Sequence, residues 1–465
     1  MGSLRLQSVC RLFGPALAAL VLIGTCAAAD WPEFLGPTRS DISTETGITD
    51  TLPVPVVWQR TIGSGYSAPS VRGDLLVLHH RLGDQEIVEA CDSATGKTRW
   101  KHEYPSHYVD PFGYNNGPRC TPLLTADRCY TFGAEGLLLC LDLATGSEIW
   151  HRDTATDFQV PDSFFGVGST PILEDGLLIT LIGGQPDSGV VAFDAATGKT
   201  VWESVGAKSW TGVPMTGWPG ERTVKWNPAD PAFMKQASYC APVAATIHGK
   251  RQILCCTRQG LVSLDPKTGT PNFSFWFRAR QDASVNAMTP VVYRDDILLS
   301  SAYYKSGSVL LHVKPDCKSV EEKWRGLQLE MHWSRPILTD GFLYAFSGRN
   351  EPDARFRCVE FATGALKWDR EEGWPNGGHA KLAEGDTPPN VFGRGSAVLA
   401  DNKLIVLGEA GLLGLFTPTP DKVEELSRWQ VPGLTYPCWA GPVLSNHRLY
   451  LRSEDRLICL DLTKR

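Results

Sequence analysis

Short runs in which apolar and polar residues alternate recur along the chain after about residue 30, and each run ends in a turn signal. An alternating period predicts β-strands. The predicted strands follow one another at about ten-residue spacing, which is typical of four-stranded propeller blades rather than of a sandwich. The pattern therefore points to an internal repeat.

One turn recurs five times with the same chemistry. An acidic residue stands before an aromatic residue, with Thr-Gly between them, in CDSATGKTRW, CLDLATGSEIW, AFDAATGKTVW, SLDPKTGTPNF and CVEFATGALKW. The acidic side chain can accept bonds from the turn, the Gly can adopt a positive φ, and the aromatic ring can pack on the neighbouring unit. We interpret these residues as structural corners of the repeat and not as catalysts: Asp92, Trp100, Asp142, Trp150, Asp194, Trp202, Asp265, Glu360 and Trp368.

A second anchor precedes each corner region: a small residue, then Pro or its substitute two positions later, then a turn and a β-rich run. It begins at eight places, namely Ser67, Cys120, Ser169, Cys240, Met288, Ser334, Ser396 and Ala440. Trp58 resembles a final-strand Trp with no unit before it, and the last unit ends without one. The sequence therefore predicts an all-β, eight-bladed β-propeller of four-stranded antiparallel blades over residues 30–465, closed by the N-terminal strand.

The N-terminus has the pattern of a secretory signal peptide over residues 1–29. Arg5 and Arg11 precede an apolar run, and small residues end it. The run is too short to span a bilayer, so we expect an exported mature chain of the periplasm or cell envelope without a transmembrane segment. Lipid anchoring at Cys26 is disfavoured because Thr25 precedes it. The formal net charge of −6 argues against nucleic-acid binding.

Thirteen cysteines in an exported chain would ordinarily suggest disulfides. The positions of the cysteines in the repeat argue against disulfides. Most of them occupy positions that other units fill with Ala or Ser, so we interpret them as small buried residues. The adjacent pair Cys255 and Cys256 allows two interpretations, a vicinal disulfide or two strand residues on opposite faces.

With this corner in five units, the chain resembles the pyrroloquinoline quinone (PQQ) repeat superfamily from about Trp31 to its end. That superfamily includes PQQ-dependent alcohol and sugar dehydrogenases and also non-enzymatic propellers such as the lipoprotein subunit of the outer-membrane assembly machine. The segments WPEFLGPTRSD, NNGPRCTPLL and SYCAP resemble exported PQQ-like propeller proteins of planctomycete-type bacteria. The resemblance implies the architecture and leaves the activity open.

An active quinoprotein would hold PQQ between flat surfaces, with basic residues at its carboxylates and a Ca²⁺ bound by acidic and amide oxygens. In the alcohol dehydrogenases an adjacent-Cys disulfide forms one of these surfaces. Here the pair follows the strand QIL in the fourth unit, and no stretch matches the family's calcium-ligand segment. PQQ and calcium remain possible cofactors by resemblance, and no other cofactor or metal is expected.

Three long loops depart from the repeat and are the candidate binding regions. These loops could form a ligand-binding surface of aromatic, amide and charged groups. Alternatively, they could be solvated loops whose Trp side chains cover the propeller face. Arg119, His332 and Arg335 each precede an innermost strand, so they could make the channel basic and bind an anion, or pair with blade carboxylates. The candidate ligand-binding residues are Asn115, Asn116, Arg119, Trp210, Trp218, His332, Arg335, His379 and Arg394.

The clusters His79-His80 and His102/His107 lack tight zinc spacing, and no P-loop, GxSxG or HExxH motif occurs in the sequence. The leading hypothesis is a binding or scaffold propeller for a protein or polysaccharide partner in the cell envelope. The alternative is a PQQ-dependent alcohol or sugar dehydrogenase, so whether the chain is an enzyme stays open at this point.

Overall fold

The fold consists of eight four-stranded antiparallel sheets arranged as a β-propeller, which confirms the predicted architecture. The computed structural model describes residues 2, 29–161, 163–206, 209–210, 238–279, 284–375, 378 and 387–465. The helices whose full bounds the structure gives are one short segment, α1 (Thr154–Asp157), and two 3-10 turns, Tyr303–Lys305 and Glu351–Asp353.

Each blade is numbered by the order of its innermost strand along the chain. Blade 1 contains β2 (Ser70–Arg72), β3 (Leu75–Leu82), β4 (Gln85–Asp92) and β5 (Thr98–Pro105). Blade 2 contains β6 (Leu123–Leu124), β7 (Arg128–Phe132), β8 (Leu137–Asp142) and β9 (Glu148–Asp153). Blade 3 contains β10 (Ile172–Glu174), β11 (Leu177–Gly184), β12 (Ser188–Asp194) and β13 (Thr200–Ser204). Blade 4 contains β14 (Val243–Ile247), β15 (Lys250–Cys256), β16 (Gly260–Leu264) and β17 (Pro271–Trp276).

The second half of the ring repeats this plan. Blade 5 contains β18 (Val291–Tyr293), β19 (Asp296–Ser301), β20 (Gly307–Val313) and β21 (Val320–Gly326). Blade 6 contains β22 (Ile337–Thr339), β23 (Phe342–Ser347), β24 (Arg355–Glu360) and β25 (Leu366–Glu371). Blade 7 contains β26 (Ser396–Ala400), β27 (Lys403–Leu407), β28 (Leu412–Thr417) and β29 (Glu424–Gln430). Blade 8 contains β30 (Val443–Ser445), β31 (Arg448–Arg452), β32 (Arg456–Asp461) and β1 (Val56–Thr61).

The ring is closed by the N-terminal strand, as the unpaired Trp58 predicted. Strand β1 pairs antiparallel with β32, with Trp58 opposite Cys459. The first and last strands of the propeller therefore share one blade, so the last blade has its full four strands.

The repeated corners join neighbouring blades. At each corner the acidic side chain accepts hydrogen bonds inside its own turn, as Asp142 does from Thr145. The Trp of the preceding blade then reaches across the seam: the indole of Trp150 donates to the carbonyl of Ala195 at 3.1 Å. Equivalent bonds to a corner carbonyl of the next blade are made by Trp58, Trp100, Trp202, Trp324 and Trp368.

The hydrophobic core lies between blades rather than within one layer. Each large cluster of buried side chains is shared by adjacent sheets; one, for example, combines Leu178 of blade 3 with Tyr130 of blade 2. Burial of apolar surface between sheets is the main favourable contribution to such a ring. In the described ranges, no helix has the length and apolar character needed to cross a membrane.

Candidate functional site

The central channel is enclosed by the eight innermost strands, and its two ends differ. Because every blade is a four-stranded meander, each connection from an outermost strand to the next innermost strand lies on the same face. We call this end of the channel the mouth. Functional groups in propellers are carried by such connections.

The opposite end is covered by an N-terminal segment, residues 31–43, which we call the floor segment. Trp31 forms an antiparallel bridge with Val71 of blade 1, and Ile42 forms a parallel bridge with Leu399 of blade 7. The chain between these two bridges crosses the channel. The floor segment therefore covers part of this end, and a second cavity of about 410 Å³ lies beside it next to blades 3 and 4.

The cavity has a volume of about 250 Å³. The floor segment contributes Phe34, Leu35 and Asp41 to its lining. The inner strands contribute the residue just before the anchor Pro, or its equivalent, at Ala68, Thr121, Thr170, Ala241, Arg335, Ala397 and Gly441. Blade 6 thus places a long cation, Arg335, where other blades place small residues.

Residues two positions earlier in the chain also line the channel, nearer the mouth. They are Tyr66, Arg119, Gly168, Tyr239, Trp333 and Trp439, together with Ala287, which lies two positions before Thr289 in the anchor of blade 5. The spacing of two is the side-chain period of extended chain, so both rows follow from one strand register. Reading this register off the sequence would have found Tyr66, Trp333 and Trp439, which our sequence analysis missed.

Aromatic rings from several blades meet at the mouth. We call this set the aromatic belt: Tyr66, Tyr114, Phe165, Tyr239, Tyr303, Trp333 and Trp439. Ring centroids are 5.0 Å apart for Tyr66 and Trp439, 5.2 Å for Trp333 and Trp439, and 5.6 Å for Tyr114 and Trp439. These separations lie in the range of favourable aromatic pairs. The belt gives the mouth large, rigid apolar surfaces.

Two arginines at the mouth are neutralised by carboxylates. Arg394 forms ion pairs with Glu409 at 2.7 Å and Glu351 at 2.9 Å, and its guanidinium lies 4.6 Å from the ring centroid of Trp333. Arg119 pairs with Asp110 at 2.7 Å. Burial alone would lower the pKa of Arg394, but the Glu409 carboxylate raises it above its usual value. Both guanidinium groups therefore hold the mouth together as charged, paired groups.

Other polar groups in the same cavity have no partner. Arg335 Nε, His332 Nδ1 and Ser396 Oγ are buried and make no hydrogen bond within the described part of the chain. His332 Nε2 lies 3.1 Å from the Tyr303 hydroxyl. Burial, with the nearby Arg394 and Arg349, lowers the pKa of His332 to about 3, so its ring is neutral at physiological pH. Buried polar atoms without partners are costly in a folded protein, so they indicate where a ligand could bind.

The structure brings four of the proposed binding residues together: Arg119, His332, Arg335 and Arg394 line the cavity. Asp41, which shares this cavity, was missed because it lies in the floor segment, outside the repeat.

The remaining candidates lie elsewhere. The side-chain oxygens of Asn115 and Asn116 accept bonds from Gly117 and Asp110 within their own loop. Trp210 is buried against Trp276, with ring centroids 4.7 Å apart, and does not line the cavity. Trp218 and His379 lie outside the described residues.

Cys255 and Cys256 are free thiols on β15, and their side chains pack in different inter-blade cores. The structure thus agrees with the two-face interpretation of the pair, and neither thiol lines the cavity. A vicinal disulfide that would form one face of a quinone site is absent from the described structure.

The described residues also do not fit a calcium-bound quinone. They contain no group of three or more His, Cys, Asp or Glu side chains arranged to hold a metal. Two carboxylates beside the belt, Glu351 and Glu409, are already bound to Arg394. His79 and His80 pair with Glu86 and Glu89, each at 3.2 Å, inside blade 1.

Comparison with known proteins places this architecture in a family. The family model described as outer membrane protein assembly factor BamB matches residues 83–370. Among solved structures, BamB from Moraxella catarrhalis matches with a TM-score of 0.56 and 15% identity, covering 89% of this chain and 99% of that one. A quinohemoprotein alcohol dehydrogenase from Comamonas testosteroni matches with a TM-score of 0.61 and 14% identity, covering 94% and 81%. A europium-containing methanol dehydrogenase matches with a TM-score of 0.61 and 12% identity, covering 91% and 89%.

No curated protein matches the chain. The structural likenesses have low identity and show the fold alone, which BamB and the dehydrogenases share. The family model, in contrast, matches more than half of the sequence. The chain therefore belongs to the family described as outer membrane protein assembly factor BamB, a family of PQQ-like repeat propellers.

Proposed function

We propose that this chain is an exported propeller that binds a partner protein of the cell envelope at the mouth of its channel. The observation that carries the proposal is an apolar loop beside the aromatic belt. Val109, Phe112 and Tyr114 are 71%, 56% and 46% exposed, and all three lie between β5 and β6. Contiguous exposed apolar groups of this kind mark binding surfaces.

This loop is held in place although it is exposed. The Asp110 carboxylate accepts bonds from the backbone N–H groups of Phe112 and Tyr114, at 2.9 and 3.2 Å, and pairs with Arg119. Arg81 donates to the carbonyl of Tyr108 at 2.7 Å. A pre-organised loop loses little conformational entropy on binding, which favours association.

The surface also has the composition of protein interfaces. Tyr, Trp and Arg are the residues most often found at the energetic centres of such interfaces, and the mouth combines all three. Phe112 extends this surface from the belt, with its ring centroid 5.3 Å from that of Phe165. The family description, which names an assembly factor, supports a protein partner over a polysaccharide.

The dehydrogenase alternative receives no specific support from the site, because the described residues supply neither the calcium ligands nor the Cys platform. Export rests on the signal-peptide pattern of residues 1–29. If the chain were a quinoprotein, adding PQQ with Ca²⁺ would give saturable binding and alcohol-dependent dye reduction, and that result would overturn our proposal.

Photo-crosslinking in cells tests the docking surface. A photoreactive residue at position 112 or 114 should capture the same discrete protein, whereas position 201 should not. Val201 is a suitable control because it is 50% exposed on the outermost strand of blade 3, away from the mouth.

The captured protein, once purified, allows a quantitative test. Replacing both aromatic residues (Phe112→Ser with Tyr114→Ser) should raise its Kd about tenfold or more, as loss of an aromatic interface anchor does. Val201→Ser should leave the Kd unchanged. Equal crosslinking from all three positions, or an unchanged Kd in the double variant, would refute a docking site at the mouth.

A further inference from the structure

Two opposite charges without partners share the cavity. Arg335 makes no ion pair and no side-chain hydrogen bond in the described structure, and its Nε atom is buried. The seven other blades place no arginine at this position. A guanidinium whose Nε atom is buried without an acceptor is costly, so its retention needs a reason.

The second charge is Asp41 on the floor segment. Its backbone is fixed: the Asp41 N–H donates to the Leu35 carbonyl, and the Asp41 carbonyl accepts from the Leu399 N–H, both at 2.9 Å. This holds Asp41 at φ 58°, a left-handed conformation that costs energy for a non-glycine residue. The Asp41 carboxylate nevertheless accepts no hydrogen bond within the described structure.

Asp41 and Arg335 attract each other without touching. The Arg335 charge acts on the Asp41 carboxyl, yet no ion pair or hydrogen bond joins the two side chains. Burial raises the pKa of Asp41 to about 7 despite the attraction. Both side chains line the same cavity, so a ligand that enters it meets one cation and one acid.

We propose that this cavity binds a free amino acid with an aromatic or large apolar side chain. The α-carboxylate pairs with Arg335, the α-ammonium pairs with Asp41, and the side chain packs against the aromatic belt. Ser396 Oγ and His332 Nδ1, both without partners, supply further hydrogen-bonding groups in the cavity. This site adjoins the docking surface at the aromatic belt, to which Tyr114 belongs, but its two charged groups lie inside the cavity, and the inference does not depend on the proposed function.

The two charges discriminate between classes of ligand. A simple carboxylate would satisfy Arg335 but would leave Asp41 without a hydrogen-bond donor, and a simple amine would leave Arg335 without an acceptor. The end of a peptide chain carries only one of the two groups. The cavity of about 250 Å³ is smaller than the roughly 300–1,000 Å³ of pockets for drug-sized ligands, which suits an amino acid.

Calorimetric titration of the full exported chain tests the ligand class. The probes are L-phenylalanine and L-tryptophan, together with N-acetylphenylalanine, which lacks the ammonium, and phenylalaninamide, which lacks the carboxylate. We expect saturable binding of at least one amino acid and at least tenfold weaker binding of both blocked forms, because each loses one charge-assisted contact.

Two nearly isosteric substitutions assign the contacts. Arg335→Gln and Asp41→Asn should each weaken amino-acid binding about tenfold or more. Asp41→Asn should leave the weak binding of N-acetylphenylalanine unchanged or improved, and Arg335→Gln should do the same for phenylalaninamide. Arg99→Gln, which removes an exposed cation bound to Asp74 on blade 1, is the matched control and should have no effect.

Thermal unfolding of each variant separates lost binding from lost fold. Binding of N-acetylphenylalanine as tight as that of phenylalanine would overturn the proposal and indicate a carboxylate-bearing chain end as occupant. The proposal also fails if no amino acid binds at millimolar concentration, or if folded Arg335→Gln and Asp41→Asn variants bind it as the unchanged protein does.

Discussion

At the scale of single residues, the corner glycines satisfy two requirements at once. Gly198 adopts φ 71°, which other residues rarely adopt, and a Cβ atom placed on it would lie 2.7 Å from the Trp150 ring of the preceding blade. The corner glycine is therefore required twice: the turn needs its positive φ, and the neighbouring blade leaves no room for a Cβ atom. The turn requirement could be predicted from the sequence because it is local.

Replacing this glycine with alanine separates the two requirements. Gly198→Ala should lower the free energy of unfolding by about 2–4 kcal/mol, because it adds an overpacking cost to the cost of a positive φ. Gly176→Ala is the control, since Gly176 has φ 79° but no atom within 4 Å of an added Cβ. Urea unfolding should show that Gly176→Ala lowers the free energy of unfolding by only about 1 kcal/mol. Equal losses would mean that the Trp150 contact is not tight.

The channel-lining residues show why sequence reasoning found part of the site. Arg119, His332 and Arg335 were proposed because they directly precede innermost strands, a position that the repeat defines, whereas Arg394 was proposed because it lies in a long loop that departs from the repeat. Trp333 and Trp439 occupy positions of the same register, but they were missed because the register was not followed beyond the anchor residues. Asp41 could not be predicted, since only bridges to residues far along the chain place it in the cavity.

At the scale of secondary-structure elements, the hairpin of β3 and β4 departs from the apolar pattern of other blades. It buries His80 and Glu89, and Glu89 also pairs with Arg60 on β1 at 2.6 Å. Arg60 belongs to blade 8, so this ion pair crosses the seam where the N-terminal strand closes the ring. Closure thus depends on charge as well as on strand pairing.

This seam makes stability depend on acidity. Burial would raise the pKa of Glu89, but hydrogen bonds from His80, Thr98 and Arg60 outweigh it and lower the pKa to about 2. The stabilisation is therefore fully present above the unfolded-state pKa of about 4.3 and is lost as the pH falls toward 2.

Glu89→Gln should lower the unfolding free energy at pH 7 by about 3 kcal/mol, because it leaves Arg60 without its buried carboxylate. Its stability should also change less between pH 4.5 and about 2 than that of the unchanged protein. Urea unfolding across that range measures both effects, with Glu103→Gln, at an exposed position on β5, as control. A parallel pH profile in the Glu89→Gln variant would show that another carboxylate governs acid stability.

At the scale of the whole molecule, the ring could be predicted because each blade repeats its own local pattern of strand, turn and corner. The number of blades and the closing strand follow from counting that pattern. The floor segment has no such pattern, and its course across the channel results from bridges to blades 1 and 7. The sequence therefore predicted the wall of the cavity, whereas the floor segment's position became visible only in the structure.

Removing the floor segment tests which blades it stabilises. A variant lacking residues 30–42 should keep its propeller, because β1 and the corner contacts remain, but the N–H groups of Val71 and Leu399 lose their acceptors, Trp31 and Asp41. Hydrogen exchange should accelerate in β2 and β26 and stay unchanged in β22, to which the segment makes no backbone hydrogen bond in the described structure. Equal acceleration in β22 would mean that the segment stabilises the whole ring, and no acceleration in β2 or β26 would mean that the floor is dispensable for both strands.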